Sequence, residues 1–135
     1  MMDSSKPHVG KRVFIVEDEM IQAVILEKTI AKFGFEIVGR AKSGEKAIKM
    51  IEELRPDIIT MDIQLEDMID GINVADKIQQ YYLPEVIFIT GNSDSLNYTR
   101  AKEVGFVAFI TKPVQIEELK TALKKCVLLK EKGAA

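Results

Sequence analysis

Tryptophan is absent from this 135-residue chain, which also holds one cysteine, one histidine and only four prolines. A lone thiol, Cys126, cannot close an internal disulfide. With His8 the sole imidazole, there is no Cys or His spacing of the kind that builds a zinc site. A reducing cytoplasm fits such a composition. Long hydrophobic runs are missing too. The opening Met1-Met2-Asp3-Ser4-Ser5-Lys6-Pro7-His8 has no apolar stretch for export, and the apolar runs elsewhere fall far short of a bilayer span, so no membrane association is expected. Charge of one sign is equally scarce. Nineteen basic residues meet 21 acidic ones for a net charge of −2, which implies no bulk attraction to nucleic acid or to an anionic surface.

What is present is the composition of one globular domain, 47% hydrophobic and 30% charged. Short β-branched runs alternate with longer segments of helical period, the pattern of βα units around a parallel sheet covered on both faces. Strands are expected at Arg12–Val16, Phe35–Gly39, Asp57–Met61, Val86–Thr90 and Phe106–Ile110. The first helix, about Glu19 to Phe33, carries an apolar stripe of Met20, Ala23, Leu26, Ile30 and Phe33 and stops at Gly34. The second starts after Ser43 as N-cap, turns Ala47, Ile48, Ile51 and Leu54 inward, and ends before Pro56. A third follows Asp70-Gly71 with Val74, Ala75 and Ile78 inward, and a weaker fourth spans Ser93 to Val104. A fifth runs from Gln115 through Ile116, Leu119, Leu123 and Val127 into a lysine-rich end. The expected organisation is a tail over residues 1–10, one domain over 11–131 and a frayed tail over 132–135. Right-handed crossovers make a doubly wound α/β fold the leading architecture, with its five parallel strands in the order 2-1-3-4-5.

In such a sheet functional groups gather at the carboxyl ends of strands. Glu17 and Asp18 follow the first expected strand, Asp62 the third, Thr90 ends the fourth beside Gly91, and Lys112 follows the fifth. A Glu-Asp pair at a strand–helix junction is common by itself, because acids favour the first helical turn. Its weight comes from Asp62, in a neighbouring βα unit. At about 5 Å and an effective dielectric of about 20, each carboxylate pair repels by roughly 3 kcal/mol, or about 10 for three pairs, comparable to the stability of a whole domain. A cation must offset that. All-oxygen ligands with few fixed protein donors suit Mg²⁺, whereas the twelve-residue Asp-rich loop of a Ca²⁺ site is missing. Lys112 supplies a second positive charge, and a cis Lys112-Pro113 bond would be one way to hold it over the crevice. The Thr90 hydroxyl could donate to a phosphoryl oxygen, with room left by Gly91.

Taken together, Val16-Glu17-Asp18-Glu19, Met61-Asp62-Ile63, Asp70-Gly71, Phe88-Ile89-Thr90-Gly91 and Phe109-Ile110-Thr111-Lys112-Pro113 resemble a response-regulator receiver domain of two-component signalling, from Lys11 to about Lys130. The resemblance implies the flavodoxin-like (βα)5 form of that fold. It implies Asp62 as phosphoacceptor, with Glu17, Asp18, Asp62 and the backbone carbonyl of Gln64 holding Mg²⁺. It further implies Lys112 as partner of the phosphoryl group, Thr90 as switch hydroxyl and Phe109 as aromatic switch. The donor would be a phosphohistidine on a sensor histidine kinase or phosphotransfer protein, not His8 in the N-terminal tail. Such a domain is a signalling protein that catalyses only its own phosphorylation and dephosphorylation. Its readout would be a two-state surface of the fourth helix, last strand and fifth helix, acting on a downstream protein target, a fused output domain or, as a homodimer, a second copy.

Three features matter when the chain is set against the commonest family pattern. The stretch between Asp62 and Gly71 is one residue longer and carries Glu66-Asp67-Met68-Ile69 where a proline is frequent. Phe109 stands where tyrosine is usual, so no hydroxyl bond can accompany its packing. Gln64 and Asn92 match the positions that tune phosphoryl lifetime. Lys120, Lys124, Lys125 and Lys130 on the fifth helix read as a solvated face, with Leu128 and Leu129 widening its apolar side. A dehalogenase-type phosphotransferase would need a second acid where Gln64 stands. A flavodoxin-like cofactor binder would need a phosphate-cradling loop after the first strand, where Glu17-Asp18-Glu19 would repel phosphate without a metal. A phosphorylation-independent interaction module and a receiver fragment of a larger regulator or hybrid kinase remain the alternatives. No output segment is expected after the fifth helix.

Overall fold

A computed structural model describes residues 11–91 and 94–134, with side chains of the last helix described through Leu128. The expected tail over residues 1–10, His8, Asn92, Ser93 and the side chains of Leu129 and Lys130 lie outside the described residues. In chain order the elements are β1 (Arg12–Val16), α1 (Met20–Lys32), β2 (Glu36–Ala41), α2 (Gly44–Leu54), β3 (Ile58–Met61), α3 (Gly71–Ile78), β4 (Glu85–Thr90), α4 (Ser95–Val104), β5 (Ala108–Thr111) and α5 (Ile116–Ala134). All strand pairs are parallel, as the alternation of periods predicts, and the order is β2-β1-β3-β4-β5, the one expected for the doubly wound architecture.

Local chemistry sets the ends of the helices. Ser43 caps α2 by accepting from the Lys46 N–H, Asp70 caps α3 through Asn73, and Asp94 caps α4 through Asn97. Helix α2 ends at Arg55, which takes a left-handed conformation (φ 47°) just before Pro56. Helix α5 continues to Ala134, past Lys132 where the sequence predicts a frayed tail.

Side chains of each strand alternate between two layers. Phe14, Val16, Ile59, Met61, Val86 and Phe88 pack with α2, α3 and Ala101 of α4. Val13, Ile15, Ile58, Ile87, Ile89 and Ile110 pack with Leu26 and Ile30 of α1 and with Leu119, Leu123 and Cys126 of α5. Each fully buried Ile or Phe contributes about 1.5–3 kcal/mol of transfer free energy, so the sheet is held from both sides.

The departures from expectation sit at element ends. Met20 and Ile116 are 63% and 60% exposed, not part of the buried stripes, because each opens its helix at the rim of the sheet where no layer covers it. β5 lies two residues later than its expected start, since Phe106 serves as a loop side chain packed edge-on against Phe88 while the Val107 N–H bonds to Val86. β2 likewise starts one residue later and runs on through Gly39 to Ala41.

Thr60 lies in β3 on the same side as Ile58, 1% exposed, and its hydroxyl oxygen finds no hydrogen-bond partner among the described residues. Replacing it with the similarly shaped Thr60→Val removes that desolvation cost, so the variant should be more stable by about 1 kcal/mol. Urea unfolding would measure this. A midpoint below that of the parent would mean the hydroxyl is satisfied in solution.

Candidate functional site

The register of the sheet builds the site. Val16 pairs with Met61, so Glu17 and Asp62 step off adjacent strands at one level, and the Asp62 N–H bonds the Val16 carbonyl at 3.0 Å. β4 reaches further, pairing Thr90 with Thr111, so Lys112 leaves its strand beside Thr90 and its N–H bonds the Thr90 carbonyl at 3.0 Å. The βα units thus deliver their chemistry to one end of the sheet.

There Lys112 Nζ donates to Glu17 Oε1 at 2.7 Å and to Asp62 Oδ2 at 2.8 Å. Glu17 and Asp62 are 3% and 5% exposed. The second oxygen of each carboxylate accepts a backbone bond, Glu17 from the Glu19 N–H at 3.0 Å and Asp62 from the Gln64 N–H at 3.3 Å. The Lys112-Pro113 peptide is cis. Asp18 completes the acidic group: Glu17, Asp18 and Asp62 each offer an oxygen within 4.8 Å of the others. Three oxygens at that spacing, against one ammonium, form a donor set fitted to a hard divalent cation. Asp18, Asp62 and Lys112 edge a cleft of about 640 Å³, which Glu19, Gln22, Gln64, Thr90 and Gly91 also line.

Burial pushes the Glu17 carboxyl from its ordinary 4.5 to about 7, against the opposing bonds from Lys112 and from the Glu19 N–H. Burial also pulls the Lys112 ammonium down, but its bonds to Asp62 and Glu17 more than offset this and raise it above its ordinary 10.5. Lys112 therefore stays cationic at neutral pH, and Glu17 holds its proton to a higher pH than an ordinary carboxyl does.

The structure thus brings together Glu17, Asp18, Asp62 and Lys112, and sets Thr90 and Gln64 on the same cleft. Phe109 stands apart. Its ring lies 5.2 Å from Tyr98, 5.7 Å from Phe106 and 6.0 Å from Phe88 between centroids, a cluster joining β5 to α4.

Several contributors escape a reading of the sequence. Tyr98 covers Phe109, but a single tyrosine in a weakly amphipathic helix gives no signal. Gly71 is legible in the sequence only through the Asp70-Gly71 pair that opens the third helix, yet a Cβ there would overlap the carbonyl oxygen of Asp62. Its N–H also returns to the Ile63 carbonyl at 2.7 Å, which folds the loop after Asp62 back on itself. Arg100 of α4 donates to Asp70 at 2.9 Å, so the cap of α3 also holds α4. Asp67 accepts from the Gly44 and Glu45 N–H groups at 2.8 and 3.0 Å, contacts across more than twenty residues that no local pattern announces.

Between pH 4.5 and about 7 the folded chain, without metal, keeps a proton on Glu17 that the unfolded chain has lost. That contribution to stability therefore falls as pH rises through this window. Glu17→Gln lacks the titration and should gain on the parent as pH increases. Urea unfolding of both proteins in chelator, at about pH 5 and about pH 7.5, measures the gap. A gap that stays constant would place the Glu17 titration in its ordinary range.

Comparison with known proteins agrees with this geometry. Residues 13–124 match the family model described as the response regulator receiver domain. The chain is 35% identical over 119 residues to the chemotaxis protein CheY of Thermotoga maritima, covering 87% of this chain and 98% of that protein. It is 32% identical over 119 residues to the transcriptional regulatory protein PdtaR of Mycobacterium tuberculosis, covering 88% of this chain but only 58% of PdtaR. Among solved structures, the signal receiver domain of a modulated diguanylate cyclase from Desulfovibrio desulfuricans superposes with a TM-score of 0.82 at 31% identity, covering 89% of this chain and 95% of that one. A chain of the CheX–CheY–BeF3–Mg²⁺ complex from Borrelia burgdorferi superposes with a TM-score of 0.78 at 25% identity, covering 84% and 86%. Strand order, acidic cluster and family match coincide, and the chain belongs to the response regulator receiver domains of two-component signalling.

Proposed function

We propose that the chain accepts a phosphoryl group on Asp62 from a phosphohistidine of a sensor histidine kinase or phosphotransfer protein. The observation that carries this reading is the placement of Asp62: buried, hydrogen-bonded to Lys112, within 4.8 Å of two further acids, and open to a cleft that also holds Thr90. One carboxylate oxygen of Asp62 forms the new P–O bond as the P–N bond of the donor breaks. The electron pair returns to the imidazole nitrogen, which takes up a proton. Lys112 moves from neutralising two carboxylates to pairing with the incoming phosphoryl oxygens, and Thr90 donates its hydroxyl to one of them.

Glu17, Asp18, Asp62 and the backbone carbonyl of Gln64 hold Mg²⁺ in this reading, which supplies charge neutralisation on the transferring oxygens. The Borrelia CheX–CheY complex contains Mg²⁺, and this similarity supports that choice of cation.

The output runs through Phe109. Inward movement of Thr90 makes room for the Phe109 ring, and Tyr98 must then yield, biasing the α4-β5-α5 surface between two states. That surface meets a downstream protein, a fused output domain or a second copy. In the same reading the domain spans 11–131, the chain meets its donor in the cytoplasm, and catalysis is confined to the chain's own phosphorylation and dephosphorylation. Among the described residues no helix is long and apolar enough to cross a membrane.

Incubation with acetyl phosphate and Mg²⁺ should add one phosphoryl mass to the parent and none to Asp62→Asn or to the parent in chelator. Equal labelling of parent and variant would move the acceptor to another residue. No labelling of the parent would favour the phosphorylation-independent module.

A further inference from the structure

The loop between β3 and α3 does more than carry Asp62 to its place. The first N–H groups of a helix have no partner within it and need acceptors from elsewhere. In α2, Ser43 takes the Lys46 N–H, but the Gly44 and Glu45 N–H groups both go to the Asp67 carboxylate, at 2.8 and 3.0 Å and 23 and 22 residues away. A carboxylate accepting two N–H bonds at a helix N-terminus is also favoured by the helix dipole. Those bonds hold the Asp67 carboxyl below its ordinary 3.8, so it stays ionised at neutral pH.

Contacts on either side fasten the same stretch to the same place. The Glu66 N–H bonds the Lys42 carbonyl at 3.2 Å, and Ile69 packs so closely on Gly44 that a Cβ there would overlap it. Ile63 and Leu65 are 2% and 8% exposed, which leaves Gln64 as an exposed residue between two buried ones. The loop is thus fixed at Asp62 by the sheet and at Asp67 by α2, with Gln64 held in between.

Resting on the receiver reading above, we propose that Asp67 is a positioning residue: by stapling the β3–α3 loop to the N-terminus of α2, it sets the Gln64 carbonyl and the Asp62 carboxylate for the cation and the phosphoryl group. Groups that orient metal ligands from behind typically change metal affinity or activity by about 10–100-fold when removed. Asp67 is separated from Gln64 by two intervening residues, so the low end of that range applies.

The competing role, a helix cap and nothing more, is separable. Ser43→Ala removes a cap from the same helix end without touching the loop. Mg²⁺ titration by calorimetry, acetyl phosphate labelling rates and thermal unfolding would be compared for the full chain, Asp67→Ala, Asp67→Asn and Ser43→Ala. The staple requires Asp67→Ala to bind Mg²⁺ about tenfold more weakly and to label more slowly. Asp67→Asn, which keeps one acceptor oxygen, should fall between Asp67→Ala and the parent, and it serves as the test if Asp67→Ala does not fold. Ser43→Ala should lose thermal stability while its Mg²⁺ affinity stays that of the parent. If Asp67→Ala, or Asp67→Asn in its place, matches Ser43→Ala in stability and the parent in Mg²⁺ affinity and labelling, the staple is overturned and the receiver reading stands. A parent that neither binds Mg²⁺ nor labels overturns both.

Discussion

Lys112 donates to two buried carboxylates that lie 95 and 50 residues earlier in the chain, and the rest of the architecture serves that meeting. An ammonium can reach both only if β1 and β3 are adjacent and in register, and if β4 and β5 extend the sheet far enough to bring the fifth connection over the same end. Removing one partner from such a group leaves buried charge without compensation, at a cost of about 3–5 kcal/mol. The sheet is therefore constrained by electrostatics at its carboxyl end and by apolar packing along its length, and the two demands select the same strand order.

The two covering layers differ in what they do for the site. The α1 and α5 layer packs over Ile15, Ile87 and Ile110 through apolar side chains. The α2–α4 layer is interrupted by polar ties that run sideways, Asp67 to α2 and Arg100 to Asp70, and by the aromatic cluster of Tyr98, Phe106 and Phe109. Side chains in that second layer answer to loops as well as to the core. It is the layer whose rearrangement the proposed switch requires, and its polar contacts can exchange one partner for another more readily than the methyl groups of the opposite face.

Much of this was legible because periodicity and position carry the information. Strand runs such as Val13-Phe14-Ile15-Val16 and Val86-Ile87-Phe88-Ile89 can only be buried on both faces, and the polar residue following each is then forced to the rim. Glu17, Asp62, Thr90 and Lys112 could be named that way without a contact map. What stayed hidden depends on tertiary proximity. Met20 and Ile116 fit their helical stripes, yet a stripe does not say where the sheet ends. Phe106 has the composition of a strand residue but finds better packing against Phe88 and Tyr98. Asp67 and Gly71 act on partners that the chain supplies only once the βα units are stacked.

The order in which the chain is written has a further bearing on how the acids are managed. Synthesis delivers Glu17 first, Asp62 next and the lysine only after another 50 residues. For that interval a nascent polypeptide carries the acidic half of the pocket without the ammonium that ties it in the finished fold. A fragment ending before β5 keeps Glu17 and Asp62 but lacks their shared ammonium, so the last βα unit closes the charge balance of the first and third.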